Sequence, residues 1–368
     1  MTPLILPPSL NYIGAFLTFD CNLNCSYCIN DPEQRGDRKT IFLSQHRPTY
    51  RTELTPDEWV KVINRIPSRV DLPITYQGGE PTMYWKGEGL GLILSQTQNY
   101  GDLLTNFALP PALFSARLLD AGHRLRRAAP YPPIRVSFHV KEMDKVWGDG
   151  KSGGFEELVE RCMGLAQHGF TVHPDPALSD VGIYVVDHPE NIVTEEMREY
   201  CKDKLPFFMK DFLGVHEGEL HGQYGYPYST DLISRGIHNE TLNCECRTTE
   251  LLIDPLGFVW GCHFYLYHSW ETKAPAKYFA QLEREEFDFS RLEFDGVSPI
   301  GHMLDPAFSL SALEVFRPCS YYGRCIGCDT KLKRDRFATE NVYRSSVIIK
   351  NIQWPEKLKV SNDYKRKA

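Results

Sequence analysis

The sequence has no run of the roughly 18 apolar residues that a membrane-spanning helix needs. It has no basic flank at its N-terminus, where Pro7 and Pro8 cut short the apolar stretch "PLIL", so no secretory signal is expected. Positive charge is in deficit: 41 Lys and Arg stand against 48 Asp and Glu, a formal net charge of -7. That balance argues against a general nucleic-acid-binding surface and leaves room only for a local basic groove. Internal repeats and low-complexity tracts are also absent. These absences together predict a cytoplasmic globular protein with neither a membrane nor a nucleic acid as its partner.

Cysteine, by contrast, is plentiful. Eleven cysteines are spread over 368 residues, a length that suits one large domain and a smaller one. A reducing cytosol does not favour disulfides, so metal binding or catalysis becomes the leading reading of these thiols.

Residues 1–215 alternate strand-like and helix-like signals. "YIGAFLTF" (12–19), "DLPITYQ", "DLLTNF" (102–107), "YPPIRVSFHV" (131–140), "VGIYVV" (181–186) and "PFFMKDFLG" read as six strands. Between them, "TPDEWVKVINRI" carries an N-cap at Thr55, a proline at the first helical position and Glu58 to close a capping box. In "FEELVERCMGLAQHGF", Phe155, Leu158, Val159, Cys162, Leu165 and Ala166 recur at helical spacing. Thr194 caps a further helix, "EEMREYCKDKL". Strands separated by helices predict a parallel sheet with crossover connections, either a partial (βα)6 TIM-like barrel or a doubly wound open sheet. Residues 216–335 break this rhythm and hold six of the eleven cysteines. They read as a small cysteine-rich α+β extension, in which "ELLIDPLGFVWGC" predicts a β-hairpin. Residues 336–368 read as a polar tail that frays.

"FDCNLNCSYCIND" (19–31) places Cys21, Cys25 and Cys28 in the pattern C-x3-C-x2-C, directly after the first strand. Three thiols could hold a zinc ion with a distant fourth ligand. They could also hold three irons of a 4Fe–4S cluster and leave one iron open to a small molecule. Their position, at the carboxyl end of a strand in a βα fold, is where ligand sites gather and counts against a structural zinc. "QGGEP" (77–81) follows the second strand; its glycines would let backbone approach a ligand, and Glu80 could accept hydrogen bonds from an ammonium group.

"CNLNCSYC", with Tyr27 as its aromatic residue, resembles the cysteine loop of the radical S-adenosylmethionine (radical SAM) enzymes, and "QGGEP" resembles their GGEP element. The resemblance implies that Cys21, Cys25 and Cys28 ligate a 4Fe–4S cluster. It implies that Gly78, Gly79, Glu80 and Pro81 hold the amino group of S-adenosylmethionine. Ser137, and with a weaker match His139, stand where the family's fourth strand meets the ribose, and residues 181–186 stand where its fifth strand flanks the adenine.

A second resemblance lies in the extension. "CRTTELLIDPLGFVWGC" runs from Cys246 through Gly257 to Cys262, and "CSYYGRCIGC" supplies Cys319, Cys325 and Cys328. The pattern is similar to the auxiliary-cluster extensions called SPASM and Twitch domains. Phe316 stands where the full SPASM run would have its first cysteine, so the one-cluster Twitch form fits better. Its implied ligands are Cys246, Cys262, Cys325 and Cys328, with Cys244 and Cys319 left over; a zinc ribbon is the alternative. Cys162 and Cys201 lie in helical patterns and read as small buried hydrophobes.

The family's chemistry is reductive cleavage of S-adenosylmethionine to a 5′-deoxyadenosyl radical, which abstracts hydrogen from a substrate. It implies an electron donor such as flavodoxin or ferredoxin, an auxiliary cluster engaged in electron transfer, and a small-molecule or peptide substrate. Some twenty residues precede Cys21, little for a leader-binding domain, so a peptide substrate carries somewhat less weight. The reading from another class is a zinc-stabilised binding protein without catalysis.

Overall fold

The computed structural model describes residues 2–23, 25, 27–28, 53–107, 124–128, 131–147, 154–212, 214–216, 219–221, 245–263, 266, 299–318, 332–334, 339–343 and 346–350. Among them, strand β1 (Tyr12–Thr18) is buried on both faces apart from its first residue, as a strand covered by helices on one side and facing an enclosed space on the other must be. β2 (Ile74–Gly78), β3 (Gly101–Thr105), β4 (Ile134–Phe138), β5 (Val181–Asp187) and β6 (Phe207–Asp211) follow it in space in the same order. Every pairing from β1 to β6 is parallel.

The connections carry the expected helices. In α1 (Pro56–Ile63) the Thr55 hydroxyl accepts the Glu58 N–H at 3.3 Å, while Glu58 accepts the Thr55 N–H at 2.9 Å, which completes the capping box. α2 (Gly89–Gln96), α3 (Val140–Trp147), α4 (Phe155–Gly164) and α5 (Glu195–Cys201) follow, the last capped by Thr194. Phe138 meets Phe155 of α4 edge-on with ring centroids 4.9 Å apart. The Ile134, Val136, Phe138 side of β4 therefore faces the helices, and alternation turns Arg135 and Ser137 to the opposite face. Cys162 and Cys201 are fully buried, and burial drives both thiols up, Cys201 to about 12. They are inert packing residues, as expected.

The predicted hairpin exists as β10 (Glu250–Ile253) and β11 (Phe258–Trp260), paired antiparallel. It does not stand apart from the first six strands, because β10 pairs parallel with β1 and extends the same sheet. β12 (Gly301–His302) adds an outer strand. Buried Asp254 shapes the turn: it accepts the N–H groups of Leu256 and Phe258 and the Trp260 indole N–H, all at 2.8–2.9 Å. Arg65, at the end of α1, fastens the segment beyond the hairpin. Its guanidinium donates to the carbonyls of Met303, Asp305 and Phe308 at 2.5–3.1 Å.

A small antiparallel pair, β7 (Gly214–His216) with β8 (Glu219–His221), follows β6. A separate five-stranded sheet runs in the order β13 (Arg317–Pro318), β9 (Glu245–Arg247), β14 (Leu332–Arg334), β15 (Thr339–Tyr343), β16 (Ser346–Lys350). Residues 339–343 and 346–350, which the sequence assigns to a polar tail, thus pair as antiparallel strands; the β-branched run Val347, Ile348, Ile349 favours that pairing. Cys244, Cys319, Cys325, Cys328 and the chain beyond 350 lie outside the described residues. Among the described residues no helix is long and apolar enough to cross a membrane.

The main sheet is strongly curved. β10 and β6 lie six positions apart in its order, yet Glu250 of one and Lys210 of the other line a single cavity of about 350 Å³. One face is therefore turned inward, and the carboxyl ends of β1 to β5 gather at one rim.

Candidate active site

The cysteine loop leaves β1 at Thr18 and is fastened at that rim by the ends of four other strands. From β2, the Gly79 N–H donates to the Thr18 carbonyl and the Glu80 N–H to the Asp20 carbonyl, both at 2.7 Å. These bonds explain the two glycines. Gly78 has φ +138, and a Cβ there would lie 2.1 Å from the Thr18 carbonyl oxygen. A Cβ on Gly79 would lie 2.1 Å from the Asp20 carbonyl oxygen. The close approach that the glycines permit is to the backbone of the cysteine loop itself.

From β3 comes Asn106. Its side-chain amide donates to Asn22 Oδ1 at 2.7 Å and to Cys21 Sγ at 3.7 Å. The Leu23 N–H also reaches Cys21 Sγ, at 3.4 Å. From β4 and β5 come two histidines that clamp Tyr27. Tyr27 Oη and His139 Nδ1 share a hydrogen bond of 2.8 Å, and the phenol ring stacks on His188 with centroids 4.6 Å apart. Burial, reinforced by Cys25 and Cys28 nearby, pushes the Tyr27 hydroxyl well above the usual phenol range, so it stays neutral. Asn191 locks the same corner, accepting the Val140 N–H at 2.8 Å and donating to the Val186 carbonyl at 3.0 Å.

Glu80 lies at the centre of this rim and is 2 % exposed. One oxygen accepts the Thr82 N–H at 3.1 Å, the Thr82 hydroxyl at 2.5 Å and the Thr105 hydroxyl at 2.7 Å. The other accepts the Asn106 N–H at 2.6 Å. A carboxylate offers about two lone-pair sites on each oxygen, so the first oxygen is fully used, while the second has a single donor and can accept one more. Burial raises the Glu80 carboxyl above its ordinary range, and the hydrogen bonds from Thr82, Asn106 and Thr105 oppose that rise. Pro81 starts the 3-10 turn that Glu80 caps.

The three thiols suit an iron–sulfur cluster. None is in a disulfide; Cys25 is buried, while Cys21 and Cys28 are partly open. Cys21 Sγ receives two N–H groups, the kind of contact that tunes thiolate-bound clusters. Among the described residues no three His, Cys, Asp or Glu side chains are gathered to hold a single metal ion. Ser137 is elsewhere, on the inner sheet face and lining the cavity, paired in register with Tyr184. Cys262 follows β11 and is half-buried. Cys246 lies on β9, in the other sheet.

Sequence reasoning missed Thr105, Asn106 and His188. A signal existed for each: "LLTNF" ends a strand on two hydrogen-bonding residues, and "VVDHPEN" ends one on a histidine. Neither type of residue announces its partner, because the partners are 25 to 161 residues distant in the chain.

No curated protein matches the sequence. Among solved structures, Streptococcus suis SuiB is similar over 70% of this chain at 13% identity, with a TM-score of 0.40. This chain spans only 61% of the length of that protein. A native anSMEcpe structure with bound AdoMet and Cp18Cys peptide is similar at 14% identity, covering 83% of this chain and 79% of that one, with a TM-score of 0.43. The family model described as the radical SAM superfamily matches residues 16–201, which is half of the chain and includes the whole cysteine rim, and the chain belongs to that superfamily.

Proposed function

We propose that this chain is a radical SAM enzyme whose curved sheet is a partial barrel and whose rim holds a 4Fe–4S cluster and S-adenosylmethionine. The observation that carries the reading is the fastening of the cysteine loop to the GGEP loop, backbone to backbone, at 2.7 Å. β1 and β2 are neighbours in the sheet, so two motifs about 50 residues apart in the chain leave the same rim side by side, where one site can use both. Cys21, Cys25 and Cys28 would hold the cluster. Bound there, the cluster and S-adenosylmethionine supply the electron and the 5′-deoxyadenosyl radical, so the hard chemistry belongs to them.

The chain's own residues bind, orient and exclude water. Asn106 and the Leu23 N–H hold Cys21 Sγ in place. Glu80, with Gly78, Gly79 and Pro81, would receive the ammonium group; its four present donors mean that it also ties β2 to β3. Ser137 on β4 would meet the ribose. The Tyr27–His139–His188 cluster closes the apolar side of the loop.

An auxiliary cluster on Cys246, Cys262, Cys325 and Cys328 is the second part of the proposal. Its support is the register of the smaller sheet. Cys246 pairs with Arg317 on one side and Lys333 on the other, so β9 lies between the two strands that bracket residues 319–331, where Cys325 and Cys328 occur. Bound there, such a cluster would serve electron transfer, fed by a donor such as flavodoxin or ferredoxin. The substrate would be a small molecule or a peptide, and the reaction would be cytoplasmic.

Metal analysis tests both parts. After anaerobic reconstitution, two cubane clusters predict about eight irons and eight sulfides per chain. Replacing Cys21, Cys25 and Cys28 with Ala should leave about four. A wild-type value near four that Cys246→Ala/Cys262→Ala does not change would remove the auxiliary cluster, and a colourless, zinc-containing protein would remove the enzyme reading.

A further inference from the structure

The cavity on the inner face of the curved sheet opens to solvent where Lys210 is exposed, and the cysteine loop uses none of its charged residues. Tyr12 and Glu250 open their strands, and Arg127 and Tyr131 precede β4. The cavity therefore extends toward the amino ends of the strands, while Ser137 and Lys210 bring it up toward the carboxyl ends. Its volume of about 350 Å³ falls at the lower end of the range for small-molecule sites.

Its lining is strongly charged. Asp102 is fully buried and takes two guanidinium groups, Arg135 at 2.8 Å and Arg127 in a close ion pair. Glu250, 3 % exposed, lies 3.3 Å from His263 Nδ1. Lys210 forms no ion pair with a described residue; its ammonium stands 5.1 and 5.5 Å from the ring centres of Tyr131 and Tyr184. Among the described residues three cations of the lining thus stand against two carboxylates, Glu250 in the lining and Asp102 behind the two arginines, both already engaged. Donors are also left over. Tyr184 is 8 % exposed, and its hydroxyl is buried without a hydrogen-bond partner among the described residues. Arg135 Nε is buried and unpartnered in the same way. Unmet buried donors cost free energy and call for an acceptor.

We infer that this cavity binds a carboxylate of the substrate, with Arg127, Lys210 and the Tyr184 hydroxyl as its donors. One formal positive charge remains after the two carboxylates are counted, which suits a monoanionic carboxylate rather than a dianionic phosphate. The aromatic walls of Tyr12, Tyr131 and Tyr184 suit an organic group behind that carboxylate. Ser137 lines the same cavity, so a substrate anchored below would present its other end to the ribose side of the cofactor. That placement rests on the proposed S-adenosylmethionine site, whereas the carboxylate site itself does not.

The test is equilibrium dialysis of the reconstituted full chain against hippurate, its neutral amide hippuramide, and phenyl phosphate. Hippurate should bind, hippuramide should bind at least about tenfold more weakly, and phenyl phosphate should not surpass hippurate. Lys210→Met and Arg127→Met, checked for folding by circular dichroism, should each weaken hippurate about tenfold or more and change S-adenosylmethionine affinity less than about twofold. Tyr184→Phe, which keeps the packing and removes only the hydroxyl, gives a variant that should fold whatever the others do, and it should weaken hippurate severalfold. Equal binding of acid and amide, preference for phenyl phosphate, or unchanged hippurate affinity in Tyr184→Phe and Lys210→Met would overturn the proposal. A parallel loss of S-adenosylmethionine affinity would overturn it too, by making the cavity part of the cofactor site. Failure of the wild type to bind S-adenosylmethionine while it binds hippurate would instead overturn the enzyme reading and leave the carboxylate site standing.

Discussion

The two cysteine-bearing regions are held together in opposite ways. Cys21, Cys25 and Cys28 sit on one loop, and that loop is fastened by the ends of β2, β3, β4 and β5 through Gly79, Asn106, His139 and His188. Cys246 and Cys262 sit on different sheets, one on β9 and one just past β11. The first region is a local ligand set on a long-range scaffold. The second is a dispersed set that a bound cluster would itself help to hold together, since metal binding and folding are coupled in such domains. The difference predicts different failures: the first region should break at its scaffold, the second at its ligands.

The largest effect is expected at Gly79. Gly79→Val sets a branched side chain where even a Cβ would lie 2.1 Å from the Asp20 carbonyl oxygen, so the cysteine loop must move. Iron should fall from about eight to about four per chain, with the auxiliary irons retained. Full iron content in a folded Gly79→Val chain would break the claim that the two loops form one unit.

Next comes Arg65, which belongs to the first region by sequence and fastens the second. Arg65→Leu leaves the carbonyls of Met303, Asp305 and Phe308 without their donor. Urea titration should show a loss on the order of 3–5 kcal/mol, and proteolysis should begin within residues 299–318.

Glu80→Gln is a finer instrument. If the carboxylate meets the ammonium of S-adenosylmethionine, affinity should fall roughly 10- to 150-fold with the iron retained. Unchanged affinity would leave Glu80 as the tie between Thr82, Thr105 and Asn106 alone.

The smallest effect concerns the hairpin ahead of Cys262. Burial raises Asp254 from 3.8 to about 7, against the hydrogen bonds from Trp260, Phe258 and Leu256. The folded state therefore binds a proton that the unfolded state releases. The stability it contributes is complete below about pH 4 and is lost as pH rises through about 7. Asp254→Asn should flatten that dependence, which is at most about 1.4 kcal/mol per pH unit. The check is the urea midpoint of both chains between pH 4 and 8; parallel profiles would show that Asp254 titrates normally.

What could be read in the sequence follows the same division. Strand and helix periodicity and the Thr55–Glu58 capping box are local, and both survive in the structure; the Cys21–Cys25–Cys28 spacing is local as well, and it follows the end of β1. "QGGEP" was legible as a motif, yet the reason for its glycines was not, since only the fold brings the backbone of Thr18 and Asp20 against them. The hairpin at 250–260 was legible, whereas its parallel pairing with β1 was not, because nothing in "ELLIDPLGFVW" names its partner 238 residues away. Asn106, His188 and the Asp102–Arg135 pair depend on contacts between strands and carry no spacing of their own.

The most direct test of the central claim is the anaerobic formation of 5′-deoxyadenosine from S-adenosylmethionine with dithionite as reductant. The reconstituted wild-type chain should produce it without added substrate. The Cys21→Ala/Cys25→Ala/Cys28→Ala chain should produce none, and the Cys246→Ala/Cys262→Ala chain should remain near the wild-type level, because the electron reaches the rim cluster directly. No 5′-deoxyadenosine from an iron-replete wild-type chain, or undiminished formation by the triple variant, would contradict the account.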